Sequence, residues 1–222
     1  MAPTNANPSV ITRHLSSMMS VRRATAEDGT AMVQVLARAF AQDPSIDWTI
    51  RADGGRARGT ELFFETVLNR MTLPFGDVWT TEGAIRGAAL WTPPGKWKLG
   101  LLEQLVMAPA MLSAFGWSRL RRVLDSMDLV QRNHPSAPHY YLQSIGVDPD
   151  HQGHGLGKAL MAPVLARCDS EGVGAFLETA QVRNLPLYRS RGFEEVSRAQ
   201  LAGGGPTMYF MWRKPIAGSK SA

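Results

Sequence analysis

The chain is 222 residues long, 44% hydrophobic and 19% charged, which suits one globular domain with a sizeable core and excludes a disordered or fibrous chain. Its net charge of +5 and isoelectric point near 9.7 favour an anionic partner, but the basic residues are scattered apart from Arg119-Leu120-Arg121-Arg122, so nucleic acid is not specifically called for. A single cysteine, Cys168, excludes an intrachain disulfide and a cysteine-based zinc cage, and the five histidines show no metal-ligand spacing.

Residues 1–18 read as a flexible tail without the apolar stretch of a signal peptide. Met19–Ala24 suits a first strand. Thr25-Ala26-Glu27-Asp28 then resembles a capped helix start, followed by Met32, Val35, Leu36, Ala39 and Phe40 at helical spacing. A second helix is expected over about 58–71, and a hairpin over 77–81 and 85–92 around Glu82-Gly83. Pro93-Pro94-Gly95 ends the hairpin, and residues 96–135 follow with helical periodicity. After His134-Pro135 come strand 139–147, helix 154–171, strand 174–180, a short helix 184–191, and strands 193–199 and 207–213, with 216–222 as a second tail. The longest apolar window, Leu99–Gly116, is broken by Glu103, Gln104 and Pro109 and makes a poor membrane span, so a soluble, cytoplasmic protein is expected, with monomer or homodimer left open. This order implies one domain over 19–215, a mixed α/β sheet covered by helices.

The most informative stretch joins strand 139–147 to the helix behind it, as Gln152-Gly153-His154-Gly155-Leu156-Gly157-Lys158. A glycine-rich turn opening a helix aims backbone N–H groups and the positive end of a dipole at one point, and only small residues let an anion approach that closely. It is not a P-loop, because Gln152 stands where the first glycine belongs and Ala159 where Ser or Thr belongs. Nor is it a dinucleotide fingerprint, since the glycines fall at 153, 155 and 157 and no acidic residue follows at the required place. What fits is Gln/Arg-x-x-Gly-x-Gly/Ala.

This pattern resembles the GNAT family of N-acetyltransferases, in which the corresponding turn binds the pyrophosphate of acetyl-CoA. Leu177-Glu178-Thr179 and Arg183-Asn184-Leu185-Pro186-Leu187-Tyr188-Arg189-Ser190-Arg191-Gly192-Phe193 are similar to the second half of that family, closest to its puromycin N-acetyltransferase-like branch. The resemblance covers Tyr141–Lys214 well and Val21–Phe40 and Val78–Pro93 weakly. It implies the GNAT fold: a mixed, mostly antiparallel sheet splayed between the fourth and fifth strands and flanked by helices, here with a helical insertion at about 96–135 before the fourth strand. It also implies that the splayed strand pairs with the pantetheine arm through Ile145, Gly146 and Val147. Gln152, Gly153, His154, Gly155, Leu156, Gly157 and Lys158 would hold the pyrophosphate, and Asn184 would contact pantetheine or the neighbouring backbone.

Gly146 lies inside a strand, where glycine marks a bulge or a close approach; a backbone N–H there would polarise the thioester carbonyl. Tyr188 suits a general acid toward a leaving thiolate and shares a helix face with Asn184, although an aromatic packed on Phe193 would look the same in sequence. Glu178, a carboxylate in a central strand, would accept the proton of the incoming amine or bind it; a structural partnership with an arginine or the backbone is the alternative. His139 and Tyr141 are weaker candidates, and His151 and His154 would face solvent or phosphate. Cys168 falls on the stripe Leu156, Leu160, Val164 and reads as a core thiol. Pro163 should kink its helix without breaking it. Residues 96–135, with Trp97, Met107, Met111, Phe115 and Trp117, are read either as a roof over an amine pocket or as a packing layer or dimer surface. The expected activity is transfer of acetyl from acetyl-CoA to a small primary amine, with no metal, nucleic acid or membrane involved. The alternatives are a non-catalytic acyl-CoA sensor and a peptide or protein N-acetyltransferase.

Overall fold

The computed structural model describes residues 20–216; the expected tail 1–18, Met19 and residues 217–222 lie outside them. Seven strands form one sheet in the order β1-β2-β3-β4-β5-β7-β6, with β1 Val21–Arg23, β2 Val78–Thr81, β3 Gly87–Thr92, β4 His139–Val147, β5 Gly174–Thr179, β6 Glu194–Gln200 and β7 Thr207–Arg213. Every pairing is antiparallel except β4 with β5. That parallel pair is short: His139, Tyr140 and Tyr141 match Gly174, Ala175 and Phe176, and there the ladder stops. The rest of β4 stays paired with β3 as far as Gly87↔Val147, so β4 and β5 part like a split seam.

Helix α1 (Gly29–Ala39) and helix α3 (Arg56–Thr66) cover one face, and α6 (Leu156–Glu171) covers the other. Strand β3 is buried on both sides: Ala88 and Leu90 join Met32, Leu36 and Phe64, while Ala89 and Trp91 join Leu160, Val164 and Cys168. The expected stripe on α6 is therefore core, and burial pushes the Cys168 thiol up to about 12. Pro163 lies inside α6, which continues through it. The start of α1 is fixed as the sequence suggests: the Asp28 carboxylate accepts the Thr25 N–H at 2.8 Å and both nitrogens of the Arg22 fork at 2.7 Å.

Three features differ from expectation. Helix α2, Pro44–Thr49, had no counterpart in the sequence reading; Asp43 caps it by accepting the N–H groups of Ser45 and Ile46 at 2.9 and 3.3 Å, with Pro44 in its first turn. The second expected helix begins at Arg56 and passes at Val67 into a π-helical turn ending at Thr72, whose hydroxyl donates to the loosened Val67 and Leu68 carbonyls. The bulge in β4 is at Gln143, where the register against β3 slips. Gly146 instead accommodates α1: a Cβ there would stand 2.9 Å from both the Ala39 Cβ and the Leu36 Cδ2.

The insertion before β4 forms α4 (Leu101–Phe115) and α5 (Leu120–Asn133). Helix α4 packs on α3, with Phe115 against Phe63 at 5.9 Å, and α5 packs on α2, with the Arg122 guanidinium 3.9 Å above the Trp48 ring. Arg121 lies 3.9 Å from Asp125, so the Arg119–Arg122 run does not present one uniform basic face. At the other end of the chain the Ile216 N–H donates to Asp169 at 2.8 Å, which ties down the first residue of the expected tail. Among the described residues no helix is long and apolar enough to cross a membrane.

Candidate active site

The turn between β4 and α6 is built by a short chain of hydrogen bonds. The Asp148 N–H donates to the Arg86 carbonyl at 2.8 Å, and the Asp148 carboxylate accepts the Asp150 N–H at 3.0 Å. Arg38, from α1, sits 3.0 Å from Asp148 and 2.8 Å from Asp150, offsetting two negative charges at the turn. The Gln152 side chain donates to the Val147 carbonyl at 2.9 Å and so pins the turn to the strand end. Gly153 and Gly155 both take positive φ, 80° and 85°, which side chains resist. The first bond inside α6 runs from the Ala159 N–H to the Gly155 carbonyl, which leaves the preceding N–H groups at the helix start without intrahelical acceptors.

In front of this turn lies a cleft of about 320 Å³. Ile145, Gly146, Val147, Gln152, Gly153, Gly155, Leu156, Gly157, Lys158, Asn184 and Tyr188 all line it. His154 does not; it is exposed on the outer side of the turn. A second cleft of about 140 Å³ opens where β4 and β5 part, and Glu178 lines that one alone. Phe40, Asp43, Ile145, Asn184 and Tyr188 line both and mark where the two meet.

Tyr188 lies in helix α7 (Leu185–Arg189) and is only 5% exposed. Burial pushes its phenol well above the ordinary tyrosine range, helped by the negative charges of Asp43 and Glu178, while the Asn184 side chain pulls it back. Glu178 is half-buried, and removal of its carboxyl from solvent pushes it up to about 7 against the hydrogen bond from Tyr141. The Tyr141 hydroxyl donates to Glu178 Oε1 at 2.5 Å, and Glu178 Oε2 is buried without a partner. Glu178, with its carboxyl raised to about 7, thus lines the smaller cleft, and Tyr188, with its phenol raised well above the ordinary range, lines both.

Behind Tyr141 sits a pair of histidines. His139 Nδ1 lies 2.7 Å from the Ala137 carbonyl, so that nitrogen carries the hydrogen, and His139 Nε2 accepts from His134 Nε2 at 2.9 Å. Burial disfavours the charged form of both rings: it lowers His139, and burial first, then the nearby His139 and Lys98, bring His134 down to about 3. His134 stacks on Trp97 at 3.6 Å and meets Tyr141 edge-on at 4.8 Å. His139 and Tyr141 are thus part of the support behind Glu178, and neither histidine lines either cleft.

Residues 96–135 line neither cleft, so they are not its roof; they brace α2 and α3 from behind. The wall opposite β4 comes from α1, α2 and α3 through Phe40, Asp43, Ile46 and Phe63. Sequence reasoning missed that wall, together with Gln181, Arg183 and Leu187 in the larger cleft. The signal for α2 was present as Asp43-Pro44-Ser45, a cap followed by proline in the first turn.

Residues 74–193, more than half of the chain, match the model of the acetyltransferase (GNAT) family. An uncharacterised N-acetyltransferase of Schizosaccharomyces pombe is 25% identical over 190 residues, 79% of this chain and 74% of that protein. The crystal structure of histone acetyltransferase HPA2 and related acetyltransferase from Corynebacterium glutamicum superposes with a TM-score of 0.69 at 27% identity, over 90% of this chain and 98% of the other. Arylalkylamine N-acetyltransferase 2 of Aedes aegypti shares the fold, with a TM-score of 0.60 at 14% identity over 88% of this chain and 98% of its own. With the split β4–β5 seam and the glycine turn beside it, these matches make the chain a member of the GNAT family of acetyltransferases.

Proposed function

We propose that the protein transfers the acetyl group of acetyl-CoA to a primary amine of a small molecule, by direct attack in a ternary complex. The observation that carries this reading is the junction itself: two clefts meet at Tyr188, with a glycine-built anion cradle at one end and an unpartnered carboxylate oxygen at the other. The cradle suits a pyrophosphate, since the free N–H groups at the start of α6 converge there and a Cβ added at Gly153 would meet nothing within 4 Å. Ile145, Gly146 and Val147, on the part of β4 that β5 leaves unpaired, would carry the pantetheine arm, and Gln152, Gly155, Leu156, Gly157 and Lys158 the phosphates. His154 would stay at the rim.

In the reaction Glu178 takes a proton from the ammonium, the freed amine attacks the thioester carbonyl, and the C–S bond breaks as the tetrahedral intermediate collapses. Tyr188 gives its proton to the departing thiolate and is restored by the second proton that the attacking nitrogen sheds on becoming an amide, so the one proton released overall is the one Glu178 took and passes to solvent. Backbone N–H groups near Gly146 stabilise the oxyanion. The acceptor enters between β4 and β5, where Phe40, Ile46, Phe63, Leu142 and Met208 take an apolar body and Glu178 takes the charge. Within the family we place the chain nearest the puromycin N-acetyltransferase-like branch, on Leu177–Thr179 and Arg183–Phe193, and we assign it to the cytoplasm.

The test is a panel of arylalkylamines, polyamines, amino acids, aminated antibiotics and peptides under saturating acetyl-CoA, read by thiol release and product mass. An acetylated small amine is the expected result. Tight CoA binding with no product on any acceptor would make the protein a sensor, and acetylation confined to peptides would move it to the protein-modifying class.

A further inference from the structure

Resting on the acetyl-transfer reading above, we propose that Tyr141 is a positioning residue that keeps Glu178 available as a proton acceptor by donating its hydroxyl across the opening between β4 and β5. Tyr141↔Phe176 is the last matched pair before the strands separate. Two residues further along β5, Glu178 stands at the edge of the gap with one oxygen on the Tyr141 hydroxyl at 2.5 Å and the other free. The hydrogen bond therefore spans the seam at the point where the backbone ladder no longer does.

Among the described residues, the hydrogen-bond donors to Glu178 are the Tyr141 hydroxyl and its own backbone N–H. Among the described residues it forms no ion pair with any lysine, arginine or histidine within 4.0 Å. The groups that face it are Asp43 at the cap of α2, Asn184 and Tyr188 from α7, and Phe210 opposite on β7, of which Asp43 is acidic and none is a cation. Behind Tyr141, from the end of α5 and the base of β4, come His134 and His139, whose shared hydrogen bond needs one of the two facing nitrogens unprotonated and whose burial disfavours the charged form of both rings. A buried carboxyl in such a place would hold its proton without a donor to stabilise the ion.

Tyr141 is suited to the task because it keeps its own proton. Burial and the facing carboxylate push its phenol well above the ordinary range, so the hydrogen of this bond stays on the tyrosine throughout the pH range in which Glu178 titrates. The ring is held from two sides, by the edge-on contact with His134 at 4.8 Å and by Phe176 at 5.9 Å, which fixes where the hydroxyl points.

The experiment titrates the Glu178 carboxyl by carbon-13 NMR in the full chain without substrates, with glutamate labelled at the carboxyl carbon and Glu178→Gln used to assign the signal. The expected midpoint is about 7 in the unaltered protein, higher by about one pH unit or more in Tyr141→Phe, and lower when 3-fluorotyrosine, a more acidic donor of nearly the same shape, replaces Tyr141. The acidic limb of the pH–rate profile should move with the midpoint, while the alkaline plateau stays within about twofold because Glu178 is ionised there in both proteins. A midpoint unmoved by both replacements overturns the proposal, as does a parallel fall of the whole rate profile with no shift. A shifted midpoint in a protein that acetylates no amine would uphold the role of Tyr141 toward Glu178 and sink the acetyl-transfer reading instead.

Discussion

Tyr188 packs edge-on against Phe193, ring centroids 6.2 Å apart, and also forms part of the wall common to the two clefts. The packing on Phe193 and the place in the cleft wall thus coexist in one side chain. Tyr188→Phe keeps the ring contact and removes only the hydroxyl. It should lower kcat by about 10²-fold or more while leaving the CoA dissociation constant within about threefold. Steady-state kinetics beside calorimetric CoA titration check this, and an unaltered kcat removes Tyr188 from the mechanism.

Glu178 should cost the protein stability at the pH where it works. Its folded pKa of about 7 lies above the 4.5 of a free glutamate, so the neutral form is favoured on folding and stability falls as pH rises from 4.5 through 7. Glu178→Gln is expected to be more stable than the parent at pH 8, by on the order of 2 kcal/mol, and equal to it near pH 4. Activity should fall at the same time. Urea unfolding at the two pH values measures the first part; equal stability at pH 8 would refute it.

Two glycines should separate fold from ligand. Gly146→Ala places a methyl 2.9 Å from Ala39 and Leu36 and should cost about 1–3 kcal/mol of stability as α1 is pushed off β4. Gly153→Ala meets no neighbour but holds φ at 80°, so it should cost only about 1–2 kcal/mol and should weaken CoA binding by about tenfold or more. Chemical unfolding and CoA binding measured on both variants would show a crossed pattern. Equal effects on both quantities would contradict this division.

The histidine pair predicts a loss of stability in acid. The His134 pKa falls from 6.5 in the free side chain to about 3 in the fold, so protonation favours the unfolded chain and stability declines as pH drops from 6.5 toward 3. His134→Gln, which keeps a donor for His139 and has no charge to gain, should flatten the slope of unfolding midpoint against pH over that window. An unchanged slope would show that other groups dominate acid denaturation.

Strand β4 was legible in the sequence to the residue, because proline bounds it on one side and the glycine turn on the other. The anion cradle was legible because glycine spacing is a local property. Helix α2 was not, since six residues are too few to show a period and its cap was the one available mark. Gly146 was recognisably unusual, but its reason lies in α1, more than a hundred positions away, and a single strand carries no trace of that contact. The same holds for Tyr141 and Glu178: 37 residues separate them, and only the register of β4 on β5 makes them partners. The split seam was supplied by family resemblance alone, because where a ladder stops depends on two strands at once.

Helix α4 supports the cleft wall through α3, whereas α5 packs on α2 and also, through Leu129 and Val130, directly against the cluster that holds Tyr141 and Met208. Substitutions on the inner face of α5 should therefore shift both the α2 wall and the packing around Tyr141 without introducing a reactive group. The insertion thus meets the site through packing alone, by Arg122 on Trp48 and Phe115 on Phe63.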